Sequence, residues 1–156
     1  MLTRHKLVVT TSWDDGSAID IKLADLMVKY GIKGTFYVPK NYLSSHLEEA
    51  DIKEIDKINE IGAHTLNHRD LTKIPISDAR VEIEKIKEYL EDLLGHRIST
   101  FCYPYGRYNQ AVKLIVKRAG FIAARTCEYG GLNNIEDPYE WKITLHASNG
   151  SPLTII

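Results

Sequence analysis

Two clusters in this chain carry side chains that could hold a metal ion. The first is Asp14-Asp15, adjacent carboxylates just before Gly16. The second is His64-Thr65-Leu66-Asn67-His68, two imidazoles at i, i+4. Adjacent carboxylates disfavour each other's ionisation unless a cation neutralises them. Their side chains leave the backbone in different directions, so one can coordinate a cation while the other faces a reactant. Histidines at i, i+4 share one face of a helical turn, and the spacing predicts that such a turn presents both to one ion. Each cluster alone has an ordinary reading, a polar turn with a helix cap in one case and a chance pair in the other. Together they form a two-His, one-carboxylate set with open positions. That suits a catalytic divalent ion better than a structural one, which four protein ligands would close. His5, His46, His96 and His146 have no partner at ligand spacing, and the first three read as surface residues.

The surrounding sequence alternates strand-like and helix-like stretches. Lys6 to Ser12, rich in Val and Thr, predicts a strand that stops at Asp14-Asp15-Gly16. Apolar spacing predicts helices over 19–30, 47–61 and from Ser77, an expected N-cap, to Gly95, with a further helix capped by Asn109 and ending at Gly120. In the second of these, Ile52, Ile55, Ile58 and Ile61 form the expected stripe. Further strands are expected over 34–38, 98–103, 121–126 and 140–145. Strands alternating with helices argue for a parallel sheet with helical crossovers, whose chemistry gathers at the carboxyl ends of the strands. Asp14-Asp15 and Pro104-Tyr105-Gly106 each follow one of these strands, and His64 to His68 directly follow a further short one, so three distant polar clusters are expected on one rim.

Here the residues resemble a known family. Thr11-Ser12-Trp13-Asp14-Asp15-Gly16 is similar to the TFDDG motif of the polysaccharide deacetylases (the NodB-like, carbohydrate esterase family 4 group), and His64-Thr65-Leu66-Asn67-His68 matches their H-[ST]-x-x-H motif. Phe101-Cys102-Tyr103-Pro104-Tyr105-Gly106 resembles their RxPYG motif, and Gly34-Thr35-Phe36-Tyr37-Val38 their second strand. The three motifs stand in the family's order. The resemblance implies an α/β fold, a distorted (β/α) barrel of the NodB type, here incomplete toward the C-terminus, with residues 1–156 as one deacetylase domain. It implies one divalent ion on Asp15, His64 and His68. Zinc is the simplest choice by ligand type, and cobalt, nickel, manganese and iron suit the set almost as well. Asp14 would be the general base, the Tyr105 backbone N–H an oxyanion donor, and Thr65 a residue shaping the histidine loop. Tyr103, Pro104 and Tyr105 are the expected substrate contacts. The implied reaction is hydrolysis of N-acetyl groups on a carbohydrate, chitin- or peptidoglycan-like, or on a small amide. The alternatives are an amidase of the same fold acting on a non-sugar C–N bond, and a non-catalytic metal- or glycan-binding remnant.

The sequence departs from the family pattern in two places. Cys102 stands where the third motif usually carries an arginine that pairs with the base, and a thiol cannot supply that charge. Arg125 is the expected substitute, with Arg107 as the alternative. The family's late L-x-H strand carries a general acid, and here the only late histidine is His146 in Ile143-Thr144-Leu145-His146. Asp137, Trp141 and Lys142 lie near where the family keeps an acidic residue and a Trp. The aromatic residues Tyr103, Tyr105, Tyr108 and Trp13 could stack on sugar rings or pack the rim. The apolar ending Pro152-Leu153-Thr154-Ile155-Ile156 calls for something to pack on, either further barrel or a second copy in a homo-oligomer.

Composition narrows the remaining classes. A formal net charge of −1 offers no electrostatic reason to expect nucleic acid or an anionic membrane as partner. An apolar share of 44% is enough for a core, and no apolar run is long enough to span a bilayer. The N-terminus shows no signal-peptide core, so a cytoplasmic location is expected and Cys102 and Cys127 are read as buried thiols rather than a disulfide.

Overall fold

The computed structural model describes residues 9–42, 44–130 and 137–146. His5, the start of the predicted first strand and the apolar ending 152–156 lie outside these residues. Six strands, β1 (Thr11–Trp13), β2 (Gly34–Val38), β3 (Glu60–Ala63), β4 (Thr100–Cys102), β5 (Ala123–Tyr129) and β6 (Trp141–Ile143), pair in sequence order to form one sheet. Every pairing is parallel. Helices α1 (Asp20–Lys29), α2 (Glu49–Asp56), α3 (Ile76–Leu94) and α4 (Gln110–Arg118) supply the crossovers that parallel neighbours require. The result is an arc of a (β/α) barrel, as the motifs imply. Among the described residues no helix is long and apolar enough to cross a membrane.

Local sequence explains most element ends. The Asn109 side chain accepts from the Val112 N–H at 3.0 Å, capping α4 as expected. Gly95 ends α3 at φ +74°, a left-handed position that suits glycine. α3 begins one residue before Ser77, behind Pro75, whose fixed φ and missing N–H favour a helix start. The predicted helix over 47–61 is shorter. α2 opens on a reciprocal Glu48–Asp51 capping box, stops at Asp56, and Ile61 belongs to β3. Ile52 and Ile55 are buried while Ile58 is 44% exposed, so the isoleucine stripe spans a helix and a strand.

Side-chain alternation gives the sheet two different faces. Phe36, Ile61, Ala63, Phe101 and Ala124 join Ile83, Ile86 and Leu90 of α3 and Val112 and Val116 of α4 in the apolar core. The other face carries Tyr37, Gly62, Thr100, Cys102 and Arg125. Gly62 has no room for a side chain: a Cβ there would lie 2.5 Å from the Tyr37 ring. This second face leads up to the polar rim.

Candidate metal and catalytic centre

Each polar cluster leaves the carboxyl end of a strand, Asp14-Asp15 after β1, His64 to His68 after β3 and Pro104 to Gly106 after β4. The structure brings Asp15, His64 and His68 together. Asp15 Oδ1 lies 3.4 Å from His64 Nε2 and 3.1 Å from His68 Nε2. Hydrogen bonds to the two imidazoles hold the Asp15 carboxyl well below the usual carboxylate range, against the opposing effect of its burial. His64 Nδ1–H donates to the Cys102 carbonyl at 2.8 Å, which orients the ring with Nε2 toward Asp15.

The histidines do not sit on a helical turn. Residues 64–68 form an irregular loop, and Thr65 and His68 adopt φ of +65° and +50°. These residues, with Asp15 (φ +75°) and Tyr105 (φ +58°), are the non-glycine positions of positive φ among the described residues. All four belong to the three motifs, so uncommon backbone is concentrated where the chemistry would be.

That loop is fastened from below by one residue that lies outside the three motifs. Glu82 of α3 is 3% exposed, and its carboxylate accepts from the Asn67 backbone N–H at 2.8 Å and from Asn67 Nδ2 at 2.7 Å. The Leu66 N–H also donates to the Glu82 carbonyl at 3.1 Å. The signal was present: Glu82 lies in register with the buried residues Ala79, Ile83, Ile86 and Leu90, where a charge needs a partner.

Asp14 is placed differently from its neighbour. Its Oδ2 accepts from Arg125 Nη2, and the Cys102 thiol lies 3.8 Å away. Cys102 and Arg125 are register partners on β4 and β5, and Arg125 Nη2 also reaches Cys102 Sγ at 3.2 Å. The guanidinium lies over the Tyr37 ring, 5.4 Å from its centroid. Thus a cation from the neighbouring strand stands beside Asp14. Arg107 is engaged elsewhere, with Asp70 at 2.8 Å. Burial raises the Cys102 thiol well above its ordinary value, reinforced by the nearby Asp14 charge, so it stays protonated.

Some expectations change. Tyr103 is fully buried on the helix-facing side, stacked on Tyr108 and donating to the Tyr139 carbonyl at 3.1 Å. It is a core residue, not a substrate contact. Pro104 is buried as well, whereas Tyr105 is 55% exposed. Cys127 is exposed, not buried, beside Gly106, where an added Cβ would meet the Cys127 backbone at 2.5 Å. His146 is exposed just beyond β6, and among the described residues no hydrogen bond or ion pair draws it to the cluster. Asp137 pairs with Lys113, Lys142 with Glu128, and Trp141 is 40% exposed.

The donor set fits a divalent ion. Ligand atoms of Asp15, His64 and His68 all lie within 4.8 Å of one another. The buried side-chain polar atoms without partners among the described residues are Trp13 Nε1, Asp14 Oδ1, Thr65 Oγ1, His68 Nδ1 and Arg125 Nε. All five belong to this rim and the strand beneath it, as at a site built for something further.

Comparison with known proteins agrees with this geometry. The sequence profile of the polysaccharide deacetylases matches residues 2–124. Bacillus subtilis YxkH is 26% identical over 160 residues, covering 97% of this chain and 56% of its own length. The peptidoglycan-N-acetylmuramic acid deacetylase PdaC of the same organism is 27% identical over 115 residues, 72% of this chain and 24% of PdaC. The chain thus spans about half the length, or less, of these relatives. In structure it resembles the Streptococcus pyogenes deacetylase PplD, solved with acetate, with a TM-score of 0.77 and 26% identity over 81% of this chain and 59% of PplD. By its motifs, its parallel half-barrel and this match, the chain belongs to the polysaccharide deacetylase family.

Proposed function

We propose that this chain is a metal-dependent hydrolase that removes N-acetyl groups from a carbohydrate. One observation carries the reading. Asp14 has one oxygen held by Arg125 and the other, Oδ1, buried without a partner among the described residues, next to the Asp15, His64 and His68 donor set. Holding an ion needs only the latter three residues, and an oriented carboxylate with a free oxygen beside them is what a general base requires.

Asp15, His64 and His68 would hold a divalent ion, zinc by the two-nitrogen, one-oxygen donor set. When bound, that ion supplies Lewis acidity that polarises the acyl oxygen and makes water more acidic. Asp14 Oδ1 takes the proton of the attacking water. Arg125 holds Oδ2, so Oδ1 is the oxygen turned to the reactants. The Tyr105 N–H would donate to the acyl oxygen as it gains negative charge. The Tyr105 ring packs edge-on against His68 at 4.9 Å, which puts this residue beside the donor set. Asp14 then returns its proton to the leaving nitrogen as the C–N bond breaks, giving acetate and a free amine. That step is assigned to Asp14 because His146 is exposed beyond β6 and, among the described residues, makes no hydrogen bond or ion pair with the site. A sugar substrate is supported by the relatives, among them one named for N-acetylmuramic acid in peptidoglycan.

The test is metal content together with acetate release from N-acetylated oligosaccharides. His64→Ala should lose the ion, whereas Asp14→Asn should keep it and lose 10²- to 10⁴-fold in rate. Wild-type activity in Asp14→Asn would remove Asp14 from the mechanism. No metal uptake by the wild-type protein, even with added zinc or cobalt, would remove the centre itself.

A further inference from the structure

The two histidines of the proposed centre are held in unlike ways. His64 has its Nδ1 fixed by the Cys102 carbonyl at 2.8 Å. The His68 Nδ1 is buried with no hydrogen-bond partner among the described residues. Its Nε2 faces Asp15 Oδ1 at 3.1 Å, but no described polar group holds the Nδ1 side of the ring, although a ligating imidazole normally depends on such a partner. Aromatic rings occupy the space instead. Tyr42 stacks on His68 with centroids 3.9 Å apart and planes at 24°, and Tyr105 meets it edge-on at 4.9 Å.

The position of Tyr42 is built into the backbone. The Asn41 N–H donates to the Leu66 carbonyl at 2.8 Å, and Asn41 Nδ2 donates to Asn67 Oδ1 at 3.1 Å. The loop after β2 is thereby tied to the histidine loop by Asn41, the residue next to Tyr42. Tyr42 itself is 44% exposed, too open for a core residue.

We infer that Tyr42 is a positioning residue for the metal centre, clamping the His68 imidazole by stacking in place of a hydrogen bond. This rests on the proposed centre at Asp15, His64 and His68. A stacked ring is worth less than a charged hydrogen bond, so the expected effect is moderate: Tyr42→Ala should weaken divalent metal binding about three- to tenfold. Tyr42→Phe keeps the ring and should bind within about twofold of wild type.

The experiment is calorimetric titration of metal-free wild-type protein, Tyr42→Ala and Tyr42→Phe with zinc and with cobalt. Urea unfolding of the metal-free forms accompanies it. The clamp is supported by weakened binding in Tyr42→Ala, rescue in Tyr42→Phe and unchanged metal-free stability. If Tyr42→Ala does not fold, Tyr42→Leu, which keeps apolar bulk without a π face, takes its place with the same expectation. Wild-type affinity in the Ala or Leu variant, or equal weakening in Tyr42→Phe, would overturn the clamp and leave the centre standing. Absence of metal binding by the wild-type protein would overturn both.

Discussion

Replacing Arg125 with Met tests whether the cation beside the base matters, and where it must come from. The Asp14 and Arg125 side chains are 29% and 13% exposed, so the pair is only partly screened by water. A charge-assisted hydrogen bond of this kind is worth about 2 kcal/mol, and losing it should lower kcat/KM about 30-fold. Metal content should be unchanged, because Asp15, His64 and His68 are untouched. The informative variant is the double one. Cys102 and Arg125 are register partners whose side chains already touch at 3.2 Å. Cys102→Arg alone should overpack a fully buried position and cost about 1–3 kcal/mol of stability. Combined with Arg125→Met, it has the vacated volume available and should recover at least tenfold of the lost activity. Acetate release at neutral pH, normalised to bound metal, reads both effects. Activity of Arg125→Met within threefold of wild type would refute the pairing. A double variant no better than Arg125→Met would refute the idea that the charge can be supplied from either strand.

Two further outcomes follow from groups beneath the rim. Glu82→Gln removes the charge from two short bonds to Asn67 and leaves an amide hydrogen facing a donor. It should cost about 2 kcal/mol, lowering the melting temperature by about 4–8 °C, and weaken metal binding. A melting curve overlapping that of wild type would show that the histidine loop does not depend on this staple. Asp20, in the first turn of α1, has its carboxyl raised to about 6 by burial, with Asp14 and Asp15 adding to the shift. Its folded form keeps a proton that the unfolded chain releases near pH 4, so the contribution of Asp20 to stability falls as pH rises from about 4 to 6. Asp20→Asn does not titrate. Its stability relative to wild type, from urea unfolding in chelator, should rise over that interval and level off above it. An equal difference at pH 4 and pH 7.5 would contradict the assignment.

What could be read from the sequence depended on how local the cause was. The Asn109 cap and the glycine stop at Gly95 need only their own neighbours, and both were legible. The alternation of strands and helices was legible for the same reason. The isoleucine stripe from Ile52 to Ile61 misled because a threefold spacing continues unchanged across the break between α2 and β3. The histidine pair also has helical spacing, but its loop is shaped by the distant Glu82 and by positive φ at Thr65 and His68, which no periodicity reports. Tyr103 was misplaced by parity. Lying one residue beyond Cys102 in an alternating stretch turns its side chain to the helices while Cys102 and Arg125 face the other way. The three motifs themselves were visible throughout, because they are contiguous in the chain.

The gathering of left-handed backbone at Asp15, Thr65, His68 and Tyr105 bears on how the molecule moves. Each such residue costs of order 1 kcal/mol relative to a relaxed conformation. That cost narrows the free-energy gap between the closed rim and its locally opened form relative to the regular sheet behind it. Amide hydrogens of residues 64–68 and 104–106 should accordingly exchange ahead of those in the sheet. An ion that binds only the closed arrangement would slow them selectively, so occupancy of the centre and local order become two readings of one equilibrium.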